Sequence, residues 1–318
     1  MADDQKIIIS VFGRTDVGTV RDHNEDNFLV ANLATGEKSL KPEIRNHELK
    51  EEGSIFLVCD GMGGAAAGEV ASQIATTSIF EKLKELGKPE NRKTLASNLV
   101  KAIKHANSSI YQEAQQNRAK QGMGTTCTLA ALMDDIILVG QVGDSRAYLI
   151  RHHQIYQMTQ DQTLLNRLLE VGKLSDEEAS KFEHNHVILQ ALGVKEKVNP
   201  VLSAAEIAPG DSLLLCSDGL NDALTDQEII QIINNHDIHN QVEICQALTQ
   251  QACQKEAKDN VTVIFATFSG QGFGPGDLQS EIPYIKIPEA DMESNYLLNR
   301  SHKKTTETTQ VFGSFNLE

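Results

Sequence analysis

Ile55-Phe56-Leu57-Val58-Cys59 stops abruptly at Asp60-Gly61-Met62-Gly63-Gly64. Five apolar residues in a row, bounded by an acid and glycines, read as a short strand of the buried type that ends in a sharp turn. Past the turn, residues 68–86 place Val70, Ile74, Ile79 and Leu83 on or near one face of a helix, which Gly87 stops. Asn91 is suited to cap a second helix, in which Leu95, Leu99, Ala102, Ala106 and Ile110 recur at helical spacing.

Upstream, residues 7–12 and 28–31 are apolar and β-branched and read as strands. Downstream come strands at 126–133, 136–142 and 146–151, the first two joined by a tight Asp134-Asp135 turn. Residues 160–182 read as a polar helical excursion over the body. Strands at 198–206 and 212–216 flank a Pro209-Gly210-Asp211 turn. Helices follow at 226–235 and 241–255, and Lys258-Asp259-Asn260 opens a last strand, 261–268. Beyond Phe268, glycines break regular structure and apolar periodicity ends, so 269–318 is read as a flexible tail. Bunched strands with hairpin-length links imply antiparallel pairing. The expected architecture is α+β, with stacked antiparallel sheets and helices covering their outer faces.

Composition narrows the function. The 318 residues are 40% hydrophobic and 23% charged, which fits a globular body. Net charge is −15, which argues against nucleic acid or an anionic membrane as partner. The N-terminus lacks the pattern of a signal peptide, and no apolar run is long enough to span a bilayer. Cys59, Cys127, Cys216, Cys245 and Cys253 are scattered with no CxxC pair, so a reducing cytoplasm is expected.

The acids are placed where strands end or begin. Asp60, Asp144 and Asp218 follow strands; Glu25, Asp26 and Asp259 precede them. In antiparallel sheets the start of one strand lies beside the end of its neighbour, so both sets can converge on one edge. Clustered carboxylates repel, and hard divalent cations relieve that repulsion. A single Asp-Gly after a strand is ordinarily just a turn. The shared placement of several acids is what argues for more.

Arg21-Asp22-His23-Asn24-Glu25-Asp26, Asp60-Gly61-Met62-Gly63-Gly64, Gly124-Thr125-Thr126, Gly143-Asp144-Ser145-Arg146, Ser217-Asp218-Gly219 and Asp259-Asn260 occur in this order. Together they resemble the metal-dependent protein phosphatases, the type 2C or PPM family, in its bacterial form. The likeness spans about residues 7–268. It implies a four-layer α-β-β-α sandwich, two central antiparallel sheets flanked by antiparallel helix pairs, with a catalytic domain at 1–268, a flap at about 160–192 and the tail outside it.

The resemblance also implies roles. Asp60 would bridge two Mn2+ or Mg2+ ions. Asp218 and Asp259 would complete the ligand set of the first ion, and Glu25 with the Gly61 carbonyl that of the second ion. Asp144 with Asp218 would hold a third, weaker ion. Asp26 would hydrogen-bond a water of that centre, and Arg21 would grip the substrate phosphate. The implied partners are phosphorylated Ser/Thr proteins and an opposing Ser/Thr kinase, and a monomer suffices. The chain departs from many family members in having Met62 where a proton-donating histidine follows Asp-Gly. His184 and His186 fall in the loosely matched flap and are read as solvated or packing residues. In the tail, the threonines of 305–309 read first as plain polar linker, and the sharper alternative is a phosphorylated docking motif, with Thr308 or Thr309 modified for a forkhead-associated domain. A catalytically silent relative would lack a metal ligand, and none is missing. A nuclease would need basic surface.

Overall fold

Alternate residues of the strand Ser54–Cys59 go to different cores. Ile55, Leu57 and Cys59 pack in one, Phe56 and Val58 in another, and all are fully buried. A strand covered on both faces needs apolar residues at every position, which explains the unbroken run. The computed structural model describes residues 6–43, 45–64, 67–179, 182, 184, 186–273, 285–287 and 298.

In chain order the first half holds β1 (Ile7–Asp16), β2 (Asn27–Asn32), β3 (Lys38–Ser39), β4 (Arg45–Glu48), β5 (Ser54–Cys59), β6 (Gly61–Met62), α1 (Ala67–Leu86) and α2 (Arg92–Gln116). Next come β7 (Gly124–Thr125), β8 (Cys127–Met133), β9 (Ile136–Val142), β10 (Arg146–Arg151), β11 (Gln154–Gln157), α3 (Leu164–Glu170) and α4 (Asp176–Ala179). The chain continues with β12 (Val201–Glu206), β13 (Ser212–Cys216), α5 (Asp218–Asn221), α6 (Asp226–Asn234), α7 (Gln241–Gln254), β14 (Val261–Gly270) and β15 (Ile285–Ile287).

One sheet runs β11-β10-β13-β14-β1-β4 and the other β15-β12-β9-β8-β5-β2-β3. All their pairings are antiparallel. The inner core between the sheets holds Ile9, Phe28, Phe56, Leu213 and Ile264. The outer face of the β5 sheet packs on α1 and α2, and that of the β13 sheet on α5, α6 and α7. The four layers are therefore α-β-β-α, as expected. Each fully buried Leu, Ile or Phe in these cores contributes about 1.5–3 kcal/mol.

Local chemistry sets the element ends. The Asn91 side chain accepts from Thr94 N at 2.9 Å and starts α2. Thr225 and Glu228 form a reciprocal capping box on α6. Asp134 takes φ 53° in the β8–β9 turn, a left-handed conformation that aspartate tolerates.

Two expectations need correction. Residues 160–182 are not one helix: α3 stops at Glu170, because Gly172 turns left-handed at φ 65° and sends its N–H back to Leu169 O. Within the stretch read as a tail, β15 pairs with the edge of β12, Leu202 opposite Ile287, and Ile287 and Leu298 are buried in the core under α1 and α2. Three residues closed in by Pro283 and Pro288 carry too little periodicity to announce a strand. Thr308 and Thr309 lie outside the described residues.

Candidate active site

Strand register carries the acids to one edge. Asn27 of β2 lies opposite Cys59 of β5, so Asp26, one residue earlier, neighbours Asp60, one residue later. Cys216 of β13 lies opposite both Val263 of β14 and Arg146 of β10, which draws Asp218, Asp259 and Asp144 towards the same end. Thr126 N donates to Asp60 O at 2.8 Å, and the Thr126 hydroxyl receives Asp60 N at 2.9 Å, so the turn after β5 is held by the start of β8.

Asp26 ties the two sheets together. Its Oδ2 accepts from Ser217 Oγ at 2.7 Å and from Thr262 Oγ1 at 2.6 Å. Asn260 pins the loop between β1 and β2: its Oδ1 accepts from Glu25 N at 2.8 Å, and its Nδ2 donates to Val17 O and His23 O at 2.9 Å each. That loop carries Arg21, whose Nη2 donates to Asp259 Oδ2 at 2.6 Å while the side chain stays 53% exposed.

Gly61 is required by closeness. A Cβ there would lie 2.3 Å from Gly68 O and 2.5 Å from Glu25 O. The turn after Asp60, the first turn of α1 and the Glu25 backbone thus touch at one point, which sets Glu25 beside the Gly61 peptide.

Burial and crowding push the carboxyls in one direction. Desolvation, with Asp218, Asp26, Asp259 and Asp144 around it, holds Asp60 well above the usual carboxylate range. Burial raises Asp26 to about 8 against the pull of its Thr262 and Ser217 hydrogen bonds. Asp144 rises to about 8 by burial and the Asp218 charge, and Asp218 to about 6 by burial and the Asp222 and Asp259 charges. Glu25 is also raised, chiefly by desolvation. Asp144 Oδ1 and Asp218 Oδ1 are buried without a hydrogen-bond donor. Such orphaned, hard oxygen acceptors fit divalent cations of the magnesium and manganese type. Among the described residues no three His, Cys, Asp or Glu side chains form a ready-made metal cage. The acids are gathered at one edge, close enough for each to raise the pKa of its neighbours.

All eight residues expected at the site, Arg21, Glu25, Asp26, Asp60, Gly61, Asp144, Asp218 and Asp259, meet at this edge. Two further acids, which the sequence reading missed, join them, together with an exposed histidine. Asp161 takes Arg146 in a two-pronged pair, with Nη2 to Oδ2 at 2.7 Å. Asp222 N donates to Asp218 O at 2.8 Å, one helical turn on. His186, expected to be solvated or packing, places Nδ1 3.2 Å from Asp222 Oδ2. None of the three carries a local signal, because each acts through a partner distant in sequence or one turn away.

Comparison with known proteins gives the same direction. The family model for protein phosphatase 2C matches residues 44–261. The chain belongs to the protein phosphatase 2C family. It is a metal-dependent phosphoprotein phosphatase. It is similar to the serine/threonine phosphatase stp of Listeria monocytogenes, 33% identical over 251 residues that cover 79% of this chain and 92% of that one. The crystal structure of the Mycobacterium tuberculosis serine/threonine phosphatase PstP/Ppp matches with TM-score 0.69 at 31% identity, covering 82% of this chain and 99% of that one. A PstP catalytic domain solved in complex with two manganese ions matches with TM-score 0.66 at 30% identity, covering 83% of this chain and 99% of that one. In this type 2C phosphatase, no helix among the described residues is long and apolar enough to cross a membrane.

Proposed function

We propose that this phosphatase hydrolyses phosphoserine and phosphothreonine in proteins at a manganese or magnesium centre built on the acid edge, in opposition to a Ser/Thr kinase in the cytoplasm. The observation that carries the reading is the meeting of Asp60, Asp144, Asp218 and Asp259 from four separate strand ends, with Asp144 Oδ1 and Asp218 Oδ1 buried and unsatisfied. Asp60 would be shared between two ions, Asp218 and Asp259 would hold one and Glu25 with the Gly61 carbonyl the other. Asp144 with Asp218 would hold a third, weaker ion. When bound, the ions supply an activated water and neutralise charge on the phosphoryl oxygens.

The protein's own groups do the rest. Asp26, fixed by the Ser217 and Thr262 hydroxyls, would accept a hydrogen bond from the attacking water. Arg21 offers a planar, permanently charged fork to the phosphate; its half-exposed guanidinium now neutralises Asp259 and is free to turn once that carboxylate has another counter-charge. The tail motif at Thr308 and Thr309 would, when phosphorylated, dock a forkhead-associated partner.

Hydrolysis of p-nitrophenyl phosphate and of a phosphothreonine peptide, with manganese or with EDTA, tests the reading on wild type and Asp218→Asn. Activity should require the metal and vanish in the variant. Turnover that persists in EDTA contradicts it.

A further inference from the structure

The oxygen of serine or threonine is a poor leaving group, and in the loose transition state of phosphoryl transfer negative charge builds on it. A proton must arrive as the bond breaks. Met62 stands in the Asp60-Gly61-Met62 turn, and a thioether donates none. Building on the phosphatase reading, we infer that His186 is the catalytic acid that protonates the departing oxygen.

The position is built, not incidental. Residues 186–189 are laced to the start of α3 and the residues just before it: Leu164 N donates to Val187 O and Leu189 N to Gln162 O, each at 2.8 Å. Gln162 is in turn clamped to the Asp144 turn, its N–H to Gly143 O at 3.0 Å and its Oε1 taking Gly143 N at 3.1 Å. The chain that presents His186 is thereby tied to the acid edge. The imidazole reaches Asp222, one helical turn beyond Asp218, and is close enough for its charge to favour the ionised form of both. With Nδ1 held by Asp222, Nε2 is the nitrogen that faces a ligand. Arg21 on Asp259 and His186 on Asp222 are then two nitrogen donors on neighbouring acids, one for the phosphoryl oxygens and one for the leaving oxygen. His186 is 63% exposed, so a bound phosphopeptide can reach it.

The step balances. The water oxygen bonds to phosphorus as the bond from phosphorus to the serine or threonine oxygen breaks. The Nε2 proton moves to that oxygen, and the product leaves as an alcohol. The neutral imidazole regains a proton from solvent, which receives the one released by the water.

The test is leaving-group dependence. p-Nitrophenolate departs without a proton, whereas a threonine alkoxide does not. His186→Gln and Asp222→Asn should lower kcat on a phosphothreonine peptide by about a hundredfold, with a loss under about tenfold on p-nitrophenyl phosphate. Free imidazole should restore part of the peptide activity to His186→Ala. Equal losses on both substrates, or no loss on either, overturn the assignment while leaving the phosphatase reading intact, as does the same substrate-dependent loss in His23→Gln instead. Absence of metal-dependent hydrolysis in the wild type would sink both.

Discussion

At the scale of the residue, two positions show how the site is specified. Gly61 has no room for a methyl group against Gly68 O and Glu25 O. Gly61→Ala should therefore cost about 1–3 kcal/mol of stability by overpacking. It should also weaken manganese binding, because the peptide beside Glu25 moves; thermal denaturation with and without manganese reads both effects. Arg21 is the other position. It contributes a fork of donors at the rim, so Arg21→Lys, which keeps charge but loses the fork, should lower kcat/KM on a phosphopeptide by about tenfold. Steady-state kinetics on the two proteins decide it. If Arg21 served only as a surface ion pair with Asp259, the lysine variant would be indistinguishable from wild type.

At the scale of the element, stability rests on ends and ties more than on exposed charge pairs. Asp211 holds Arg151 through Nε at 2.9 Å and Nη2 at 2.6 Å and also receives Ala208 N at 2.7 Å, all in a buried setting. Asp211→Ala leaves a buried guanidinium without its counter-ion and should cost about 3–5 kcal/mol. Removing Glu85 from its exposed pair with Lys82 should cost less than about 0.5 kcal/mol. Chemical denaturation midpoints separate the two. The same scale explains what could be read from sequence. Asn91 announced α2 through its cap, and the unbroken Ile55–Cys59 run announced β5, because both signals are local. The flap escaped: Leu164–Glu170 and Asp176–Ala179 are short helices separated by a left-handed Gly172, and a window long enough to show periodicity averages across the break. Strands such as Arg45–Glu48 and Ile285–Ile287 escaped because sheet edges, not their own composition, make them strands.

At the scale of the whole molecule, the fold exists to bring acids together that would otherwise stay apart, and that has a pH signature. Asp26 and Asp144 keep their protons up to about 8 and Asp218 to about 6, with burial the first cause in each. An ordinary carboxyl loses its proton near about 4. Between those values the metal-free folded chain binds more protons than the unfolded one, so its stability falls as pH rises through that window. Manganese, which binds the ionised acids, should raise the melting temperature more at pH 8 than at pH 5.5. Differential scanning calorimetry in EDTA and in manganese measures both slopes; a metal-free protein that gains stability from pH 5.5 to 8 would contradict the acid cluster. Glu25, Asp26, Asp60, Gly61, Asp144, Asp218 and Asp259 were readable as candidates because each sits beside a strand end, whereas Arg21 was expected only from the family resemblance and its place just before Glu25. Asp161 and Asp222 were not readable, since Asp161 joins the edge through Arg146 and Asp222 through a helical-turn hydrogen bond to Asp218 and its contact with His186.

Anomalous diffraction at the manganese edge, on crystals soaked in the ion, tests the central claim most directly. Two strong peaks should lie among Asp60, Asp218, Asp259 and Glu25, with a weaker one by Asp144. Manganese bound elsewhere on the surface, with this edge empty, would contradict it.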